Sequence, residues 1–211
     1  MQLLLVRHGE TNWNAENRFQ GHADPPLNAS GEAQIRSLAE RLKGCPIDVA
    51  YASDLQRAHE SARIIVCQRE IPHCCDSRLR ERSFGKWEGL TRQEVGREYP
   101  DSYEQWKQYP ARHVPPDGES LEDLHIRVNA FLRFLVVHHG CGNVLIVAHG
   151  GSLRGLVCAA LGAPVSSHRS MRVNNGSLSI LAHGNQGFQL LRLNDTSHLR
   201  NGQGISQLGS T

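Results

Sequence analysis

Short apolar runs alternate with helical patterns along the first third of the chain. Residues 2–7 and 48–52 are apolar and lead into polar turns, which predicts two buried strands. Residues 30–43 and 54–66 carry apolar side chains at helical spacing, and Gly44 is placed to end the first of these helices. This succession of strand, helix, strand and helix predicts a parallel sheet covered by helices.

The last third of the chain repeats this pattern and then changes it. A long helix with a continuous apolar stripe is predicted over residues 120–138. Residues 144–148 form the strongest buried-strand pattern in the chain, and a helix is predicted to follow, to about Leu161. Residues 177–182 and 188–193 alternate between apolar and polar positions, which predicts a hairpin.

The middle of the chain has a different composition. Residues 71–120 hold most of the prolines and tryptophans, with one helix predicted from Thr91, where Thr91 and Glu94 match a capping box. We interpret this stretch as an insertion over the edge of the sheet. The expected fold is α/β, with three layers: a mostly parallel central sheet flanked by helices. Residues 1–198 are expected to form a single domain, and 199–211 a flexible C-terminal tail.

Composition and charge narrow the class of protein only slightly. The hydrophobic content of 39% is ordinary for a globular protein. The formal net charge of +2 neither favours nor excludes nucleic acid, and we expect none as a partner. The apolar start of the chain is too short for a secretion signal, and no apolar run approaches membrane-spanning length. We therefore expect a cytoplasmic protein that binds no membrane.

The spacing of cysteine and histidine gives no sign of a metal site. The six cysteines include no C-x-x-C pair, so free thiols in a reducing cytoplasm are expected rather than disulfides. The twelve histidines include no H-E-x-x-H motif and no Cys/His cluster, so we expect no metal and no cofactor. Most of the histidines are interpreted as surface or loop residues, but His8 and His149 are exceptions.

Two predicted strands end in the same way. An apolar strand leads into His8-Gly9, and another leads into His149-Gly150. In open α/β sheets, ligands bind outside the carboxyl ends of the strands. The two histidines would meet there if the strands are neighbours, and the glycines would let a ligand approach the backbone.

Charged residues lie at one of these strand ends, after a third strand and in a further segment. Arg7 precedes His8, Arg57 lies in the first turns of the helix after residues 48–52, and Glu81 lies among arginines. Guanidinium groups match phosphate oxygens, a neutral imidazole can attack phosphorus, and a carboxylic acid can protonate a leaving oxygen. Taken singly, each of these residues is more simply an ordinary strand-end or surface residue. Together they favour phosphoryl transfer without a metal.

At this point the sequence resembles the histidine phosphatase superfamily, which includes cofactor-dependent phosphoglycerate mutases and many small phosphatases. The resemblance extends over nearly the whole chain and rests on an ordered set of motifs. These are Arg7-His8-Gly9-Glu10-Thr11, Asn14, Asn17-Arg18-Phe19-Gln20-Gly21, Pro26-Leu27-Asn28 before Gly31, Ser53-Asp54-Leu55-Gln56-Arg57-Ala58, Leu79-Arg80-Glu81, Gly85-Lys86-Trp87-Glu88-Gly89, Gly118-Glu119-Ser120 and Val147-Ala148-His149-Gly150-Gly151. The ordered set is far more specific than a lone Arg-His-Gly.

The resemblance implies a role for each matching position. His8 would be the phosphohistidine nucleophile, and Glu81 the proton donor. The residues implied to bind phosphate or substrate are Arg7, Asn14, Gln20, Gly21, Arg57, Glu81, His149 and Gly150. The insertion at about 71–120 would then cover the active site.

The resemblance leaves the particular reaction open. The segment from Phe84 to Gly89 and the short middle region resemble the small phosphatases, so we expect hydrolysis of phosphate monoesters of small metabolites. The relevant types are broad-specificity, alpha-ribazole and metal-independent phosphoserine phosphatases. A phosphoglycerate mutase is the alternative, and a protein that binds phosphorylated ligands or a partner without turnover is the third possibility. A homodimer is expected, because the apolar hairpin could offer an edge strand for pairing.

Specificity is expected to lie in the insertion and in one loop. The candidate residues are Arg82, Trp87, Tyr103, Trp106 and His113, together with His22. An equally good interpretation makes the aromatic residues of this set packing residues of the insertion.

Overall fold

One sheet crosses the molecule in this computed structural model, which describes residues 1–109 and 111–199. Its strands in that part of the chain are β1 (Gln2–Arg7), β2 (Val49–Ala52), β3 (His73–Cys75), β4 (Asn143–Ala148), β5 (Leu178–Gly184) and β6 (Gly187–Asp195). They lie in the order β3-β2-β4-β1-β5-β6. The first four in this order pair in parallel, and β5 and β6 are antiparallel. The predicted mostly parallel sheet and terminal hairpin are confirmed.

Helices connect the strands. In the same residues they are α1 (Asn12–Ala15), α2 (Ala29–Arg41), α3 (Gln56–Val66), α4 (Arg92–Glu98), α5 (Pro100–Gln108), α6 (Leu121–His138) and α7 (Gly150–Leu161). The predicted helices are present with small differences at their ends. None of the helices in this part of the chain combines the length and apolar character that a membrane crossing requires.

The sheet separates two apolar cores. Successive side chains of a strand point to opposite faces. On one face, Leu3 and Leu5 belong to a cluster with the apolar residues of α6 and α7. On the other face, Leu4 and Val6 pack with those of α2 and α3. The expected three-layer α/β fold is therefore confirmed.

The insertion contains more helix than its sequence predicts. The capping box is present: the Thr91 hydroxyl accepts from the Glu94 N–H at 3.2 Å, and Glu94 accepts from the Thr91 N–H at 2.7 Å. The second helix, α5, was not predicted in this proline-rich stretch. Proline is tolerated at the first position of a helix, where its missing N–H costs nothing, and Pro100 occupies that position.

The end of the chain is described only to Leu199, which closes a short 3₁₀ turn at Ser197–Leu199. The rest of the predicted flexible tail lies outside the described residues. Strands β1, β2 and β4 are parallel neighbours, so their carboxyl ends meet at one edge of the sheet. The candidate site lies at this edge.

Candidate active site

Two histidines lie side by side at the ends of adjacent strands. β1 and β4 are in register with Arg7 beside Ala148, so the residues that follow, His8 and His149, are also neighbours. Their ring centroids are 5.0 Å apart, close to the strand spacing of about 4.8 Å. His8 is 2% exposed and His149 is fully buried. The register of the sheet thus brings the two strand-end histidines together.

His8 has a neutral ring with a free lone pair. Its Nδ1 lies 2.7 Å from the backbone oxygen of Gly9, and because a carbonyl oxygen only accepts, Nδ1 carries the proton. Burial, followed by the positive charges of Arg57 and Arg7, holds the pKa of His8 well below its usual value. Nε2 is therefore unprotonated, as a nucleophilic nitrogen must be.

His149 has an imidazole ring that no described residue satisfies. Neither ring nitrogen has a hydrogen-bond partner among those residues. Burial, and after it the charge of Arg57, holds the pKa of His149 far below its usual value. Its backbone N–H is fixed by the Ser152 hydroxyl at 3.1 Å. A buried polar group without a partner costs free energy, so the ring is suited to bind a ligand beside His8.

Arg57 is a buried cation held by a loop. Its two terminal nitrogens donate to the backbone oxygens of Gly21 and Ala23, both at 2.8 Å. Gly21 has φ +55°, and a Cβ at this position would lie 2.0 Å from the Glu88 carboxylate, so only glycine fits this turn. The loop thereby fixes the guanidinium, while its Nε has no hydrogen-bond partner in residues 1–109 and 111–199.

Arg7 supplies a second cation. One terminal nitrogen donates to the Val173 backbone oxygen at 2.7 Å, while Nε is buried with no partner anywhere in the described chain. Burial lowers the pKa of Arg7 to about 10, with Glu81 opposing the shift. The group still carries its charge at neutral pH, so an anion beside His8 would be bound by two fixed guanidiniums.

Glu81 is held by two backbone amides. Its Oε1 accepts from the Arg82 N–H at 2.8 Å, and its Oε2 accepts from the Gly151 N–H at 2.9 Å. Burial acts to raise the pKa of Glu81, but these hydrogen bonds and the charges of Arg154 and Arg7 outweigh burial and lower it. The carboxyl is therefore ionised in the protein alone.

Three further predicted residues have polar groups that could contact a ligand. The Asn14 Oδ1 already accepts from Thr11 and from Asn175 at 3.1 Å, so only its amide nitrogen can contact an anion. Gln20 is 8% exposed, and its buried Oε1 has no partner within the part of the chain described. Gly150 is the first residue of α7, and its N–H is one of those that an α-helix leaves free at its start.

Asn175 holds the backbone of His8 and Gly9, and the sequence analysis did not identify it. Its Nδ2 donates to the backbone oxygens of His8 and Gly9, at 3.1 and 3.3 Å. It precedes β5, which pairs with β1 in antiparallel fashion, so the start of β5 lies beside the end of β1. The predicted hairpin placed this strand in the fold, but it gave no pairing partner and so no signal for Asn175.

Two other positioning residues were also missed. The Ser61 hydroxyl accepts from the Gly9 N–H at 3.2 Å and donates to the Arg57 backbone oxygen at 2.7 Å. Arg127, on α6, donates to the backbone oxygens of Arg80 and Glu81 at 2.6 and 2.8 Å. The contact of Ser61 with Gly9 and the contacts of Arg127 join residues that are far apart in the sequence. No local motif reveals such contacts.

The candidate aromatic residues of the insertion form one cluster with His113. Trp87 is fully buried and packs on Tyr103, Trp106 and His113, with ring centroids about 6 Å apart, so these rings build the insertion itself. Only Trp106 of this group also lines a cavity beside Glu81. The loop residue His22 bonds the Glu81 backbone oxygen through Nε2 at 2.9 Å.

Known proteins resemble this chain in sequence and in fold. The family model of the histidine phosphatase superfamily (branch 1) matches residues 3–196. Phosphoserine phosphatase 1 of Hydrogenobacter thermophilus is 33% identical over 199 residues, covering 94% of each chain. A probable phosphoglycerate mutase, GpmB, of an Enterobacter species is 39% identical over 85% of this chain and 83% of its own. The alpha-ribazole phosphatase of Shigella flexneri has a similar structure, with a TM-score of 0.88 and 32% sequence identity. The match covers 93% of this chain and 97% of the Shigella chain.

The fold and the site define an α/β protein with a buried cationic centre at the carboxyl edge of its sheet. The chain belongs to the histidine phosphatase superfamily. Its relatives carry the names of phosphatases and of phosphoglycerate mutases alike, so membership alone does not select between the two reactions.

Proposed function

We propose that this protein is a phosphatase that hydrolyses phosphate monoesters of small metabolites through a phosphohistidine on His8. One observation carries the proposal. The Nε2 lone pair of His8 is free because Nδ1 donates to Gly9 O, and the ring lies buried among Arg7, Arg57 and His149. A neutral nucleophile among fixed cations suits attack on a phosphoryl group.

In the first step the phosphoryl group moves to His8. Nε2 attacks phosphorus, the bond from phosphorus to the ester oxygen breaks, and Glu81 gives its proton to the leaving oxygen. Arg7, Arg57 and the neutral His149 bind the oxygens of the transferring group, where negative charge accumulates. The residues proposed to complete the phosphate and substrate contacts are Asn14, Gln20, Gly21 and Gly150.

In the second step water releases the phosphate. The Glu81 carboxylate takes a proton from water as the water oxygen attacks phosphorus, and the bond between phosphorus and nitrogen breaks. Inorganic phosphate leaves, and both His8 and the protonated Glu81 are restored. Acceptance of the group by water makes the enzyme a phosphatase, whereas return to the organic product would make it a mutase.

Glu81 must be protonated when the ester is bound, although it is ionised in the protein alone. Binding of the substrate favours the protonated form, because a phosphate ester brings negative charge next to the Glu81 carboxylate. A nearby charge of the same sign raises the pKa of a carboxyl group. Substrate binding and protonation of Glu81 are therefore coupled in this proposal.

A trapping experiment tests the proposal. The protein is mixed with a ³²P-labelled phosphate monoester, quenched in alkali and assayed for acid-labile, alkali-stable label, beside His8→Ala. We expect label on the protein and release of phosphate, both lost in His8→Ala. Folded protein that releases no phosphate from any ester between pH 5 and 9 would refute the phosphatase. Interconversion of phosphoglycerates faster than their hydrolysis would select the mutase instead.

Three further expectations accompany this proposal: a single domain over residues 1–198, a cytoplasmic location and a homodimer. Limited proteolysis tests the first, because a single domain would resist cleavage within residues 1–198. Fractionation of cells tests the second. Sedimentation velocity across a range of concentrations tests the third.

A further inference from the structure

A cavity adjoins Glu81, and apart from Glu81 its lining side chains differ from those of the centre around His8. Its volume is about 220 Å³, and Glu81 and Gly151 form part of its wall. The rest of the wall comes from the start of α6, from α7, from the insertion and from the 3₁₀ turn at Val165–Ser170, and includes Arg154, Trp106 and His168. Glu81 thus belongs to both the centre around His8 and this cavity.

Arg154 is a largely buried cation of this wall for which the described residues provide no partner. It lies on α7, one turn after Gly150, and is mostly buried. No described residue forms a hydrogen bond or an ion pair with it, and its Nε is fully buried. Burial lowers the pKa of Arg154, and Glu81 opposes that shift. A buried guanidinium without a partner is costly, and a planar guanidinium is suited to bind a carboxylate or a phosphate.

The other charged groups of the wall add to the positive potential. Arg92 lies over the Trp106 ring with its Cζ 5.4 Å from the centroid, and Arg169 is exposed at the rim. Arg82 is bound to the rest of the insertion, because it donates to the backbone oxygens of Glu119 and His113 and lies near the Glu119 charge.

His168 adds no charge at neutral pH. Burial, with the Arg154 charge, lowers the pKa of His168 to about 4, and its Nε2 lies 3.1 Å from the Gly151 oxygen. Among the described residues of the wall, Glu81 is the sole carboxylate. The cavity therefore has an excess of positive charge.

We propose that this cavity binds a second anionic group, a carboxylate or a phosphate, carried by the leaving alcohol, and that Arg154 determines this specificity. The inference rests on the proposed function, in which Glu81 protonates the ester oxygen. The leaving alcohol must then lie against Glu81, and the cavity that adjoins Glu81 holds its remaining atoms. The preferred substrates are phosphorylated acids or bisphosphates rather than esters of neutral alcohols.

Matched pairs of esters test this specificity. O-phosphoserine is compared with phosphoethanolamine, which lacks only the carboxylate, and fructose 1,6-bisphosphate with fructose 6-phosphate, which lacks the second phosphate. We expect kcat/KM to be about 10- to 100-fold higher for the anionic member of at least one pair, since a hydrogen bond to a charged group has about this effect. The pair that shows the preference identifies the anion.

Substitution of Arg154 assigns the preference to this cavity. Arg154→Met should reduce the ratio within the pair at least 10-fold, and Arg154→Lys should keep part of it. Arg133→Met is the matched control, because Arg133 is exposed on α6 and does not line the cavity. A ratio that Arg154→Met leaves intact, or a protein that shows no preference in either pair, would overturn the proposal.

A binding measurement separates this inference from the proposed function. On a His8→Ala background, which removes the nucleophile, calorimetry should show the same preference as a ratio of Kd values, and Arg154→Met should remove it. Preference in binding with no turnover or phosphohistidine in the unsubstituted protein would refute the phosphatase and retain the anion subsite. Turnover with equal binding of both members of each pair would refute the subsite and retain the phosphatase.

Discussion

Replacement of Gly151 by alanine should displace Glu81. The added Cβ would lie 2.0 Å from Glu81 Oε1, whereas real Cβ contacts essentially never fall under 3.0 Å. Because Gly151 lies in the first turn of α7 and the clash involves the carboxylate itself, we expect Glu81 to move by about 1 Å. The hydrogen bond of 2.9 Å from the Gly151 N–H to Oε2 would then be strained or lost. A misplacement of roughly 1 Å can lower a rate about 10²-fold.

The assay is steady-state hydrolysis of an alkyl phosphate, whose leaving oxygen needs a proton. We expect Gly151→Ala to lower kcat/KM about 100-fold with a small change in stability. Gly44→Ala is the control, because its Cβ would meet nothing within 4 Å and Gly44 lies in the turn after α2. Urea denaturation of both variants checks that any loss of activity is local.

A double-mutant cycle with Glu81→Gln decides whether the loss acts through the carboxylate. Glu81→Gln alone should lower kcat/KM about 10²- to 10⁴-fold, the usual contribution of a general acid or base. If Gly151→Ala acts by moving Glu81, the double variant should be little slower than Glu81→Gln, because the group being moved is already absent. Fully multiplicative losses, or a Gly151→Ala protein with normal kcat/KM, would refute the reasoning.

Three other predictions follow from the same geometry. ¹⁵N NMR should show His8 neutral at pH 7 with its proton on Nδ1, and an imidazolium signal there would contradict its lowered pKa. Asn175→Ala should lower kcat/KM roughly 10-fold, because the backbone oxygens of His8 and Gly9 lose their donor; unchanged kinetics would exclude a positioning role. The free energy of unfolding, measured in urea, should fall as pH drops below about 6.5. In the unfolded chain His8, His149 and His168 then bind protons that they do not bind in the folded state. His168, with its pKa lowered to about 4, contributes about 3 kcal/mol of this loss by pH 4, and a flat pH profile would contradict the prediction.

The layers of the fold were readable from the sequence because each element carries a complete local pattern. β1 and β4 are continuous apolar runs buried on both faces, and the long helix α6 shows its apolar stripe and its Ser120 cap. The order of the strands was not readable in the same way. It depends on which of several similar apolar runs pair, and that choice is made by packing across the whole sheet.

The chemical groups of the site were readable where they end a strand or match a motif. His8 and His149 do both. Asn175 and Arg127 do neither, because their contacts are with backbone oxygens more than forty residues away in the chain. A side chain that binds a distant carbonyl produces no recognisable pattern in the sequence around it. Such residues can be identified only from the structure.

The electrostatics of the site connect these observations. Burial and two arginines keep His8 neutral, and the same arginines are the groups that an incoming phosphate would meet. Around Glu81, Arg154 and Arg7 favour the carboxylate form, which suits a base but not an acid. A bound phosphate ester opposes that effect with its own negative charge. A second anion at Arg154 would oppose it further, because it would cancel one of the charges that keep Glu81 ionised. The cavity beside Glu81 would therefore couple recognition of the leaving group to protonation of the acid, so that a substrate lacking the second anion would lose rate as well as affinity.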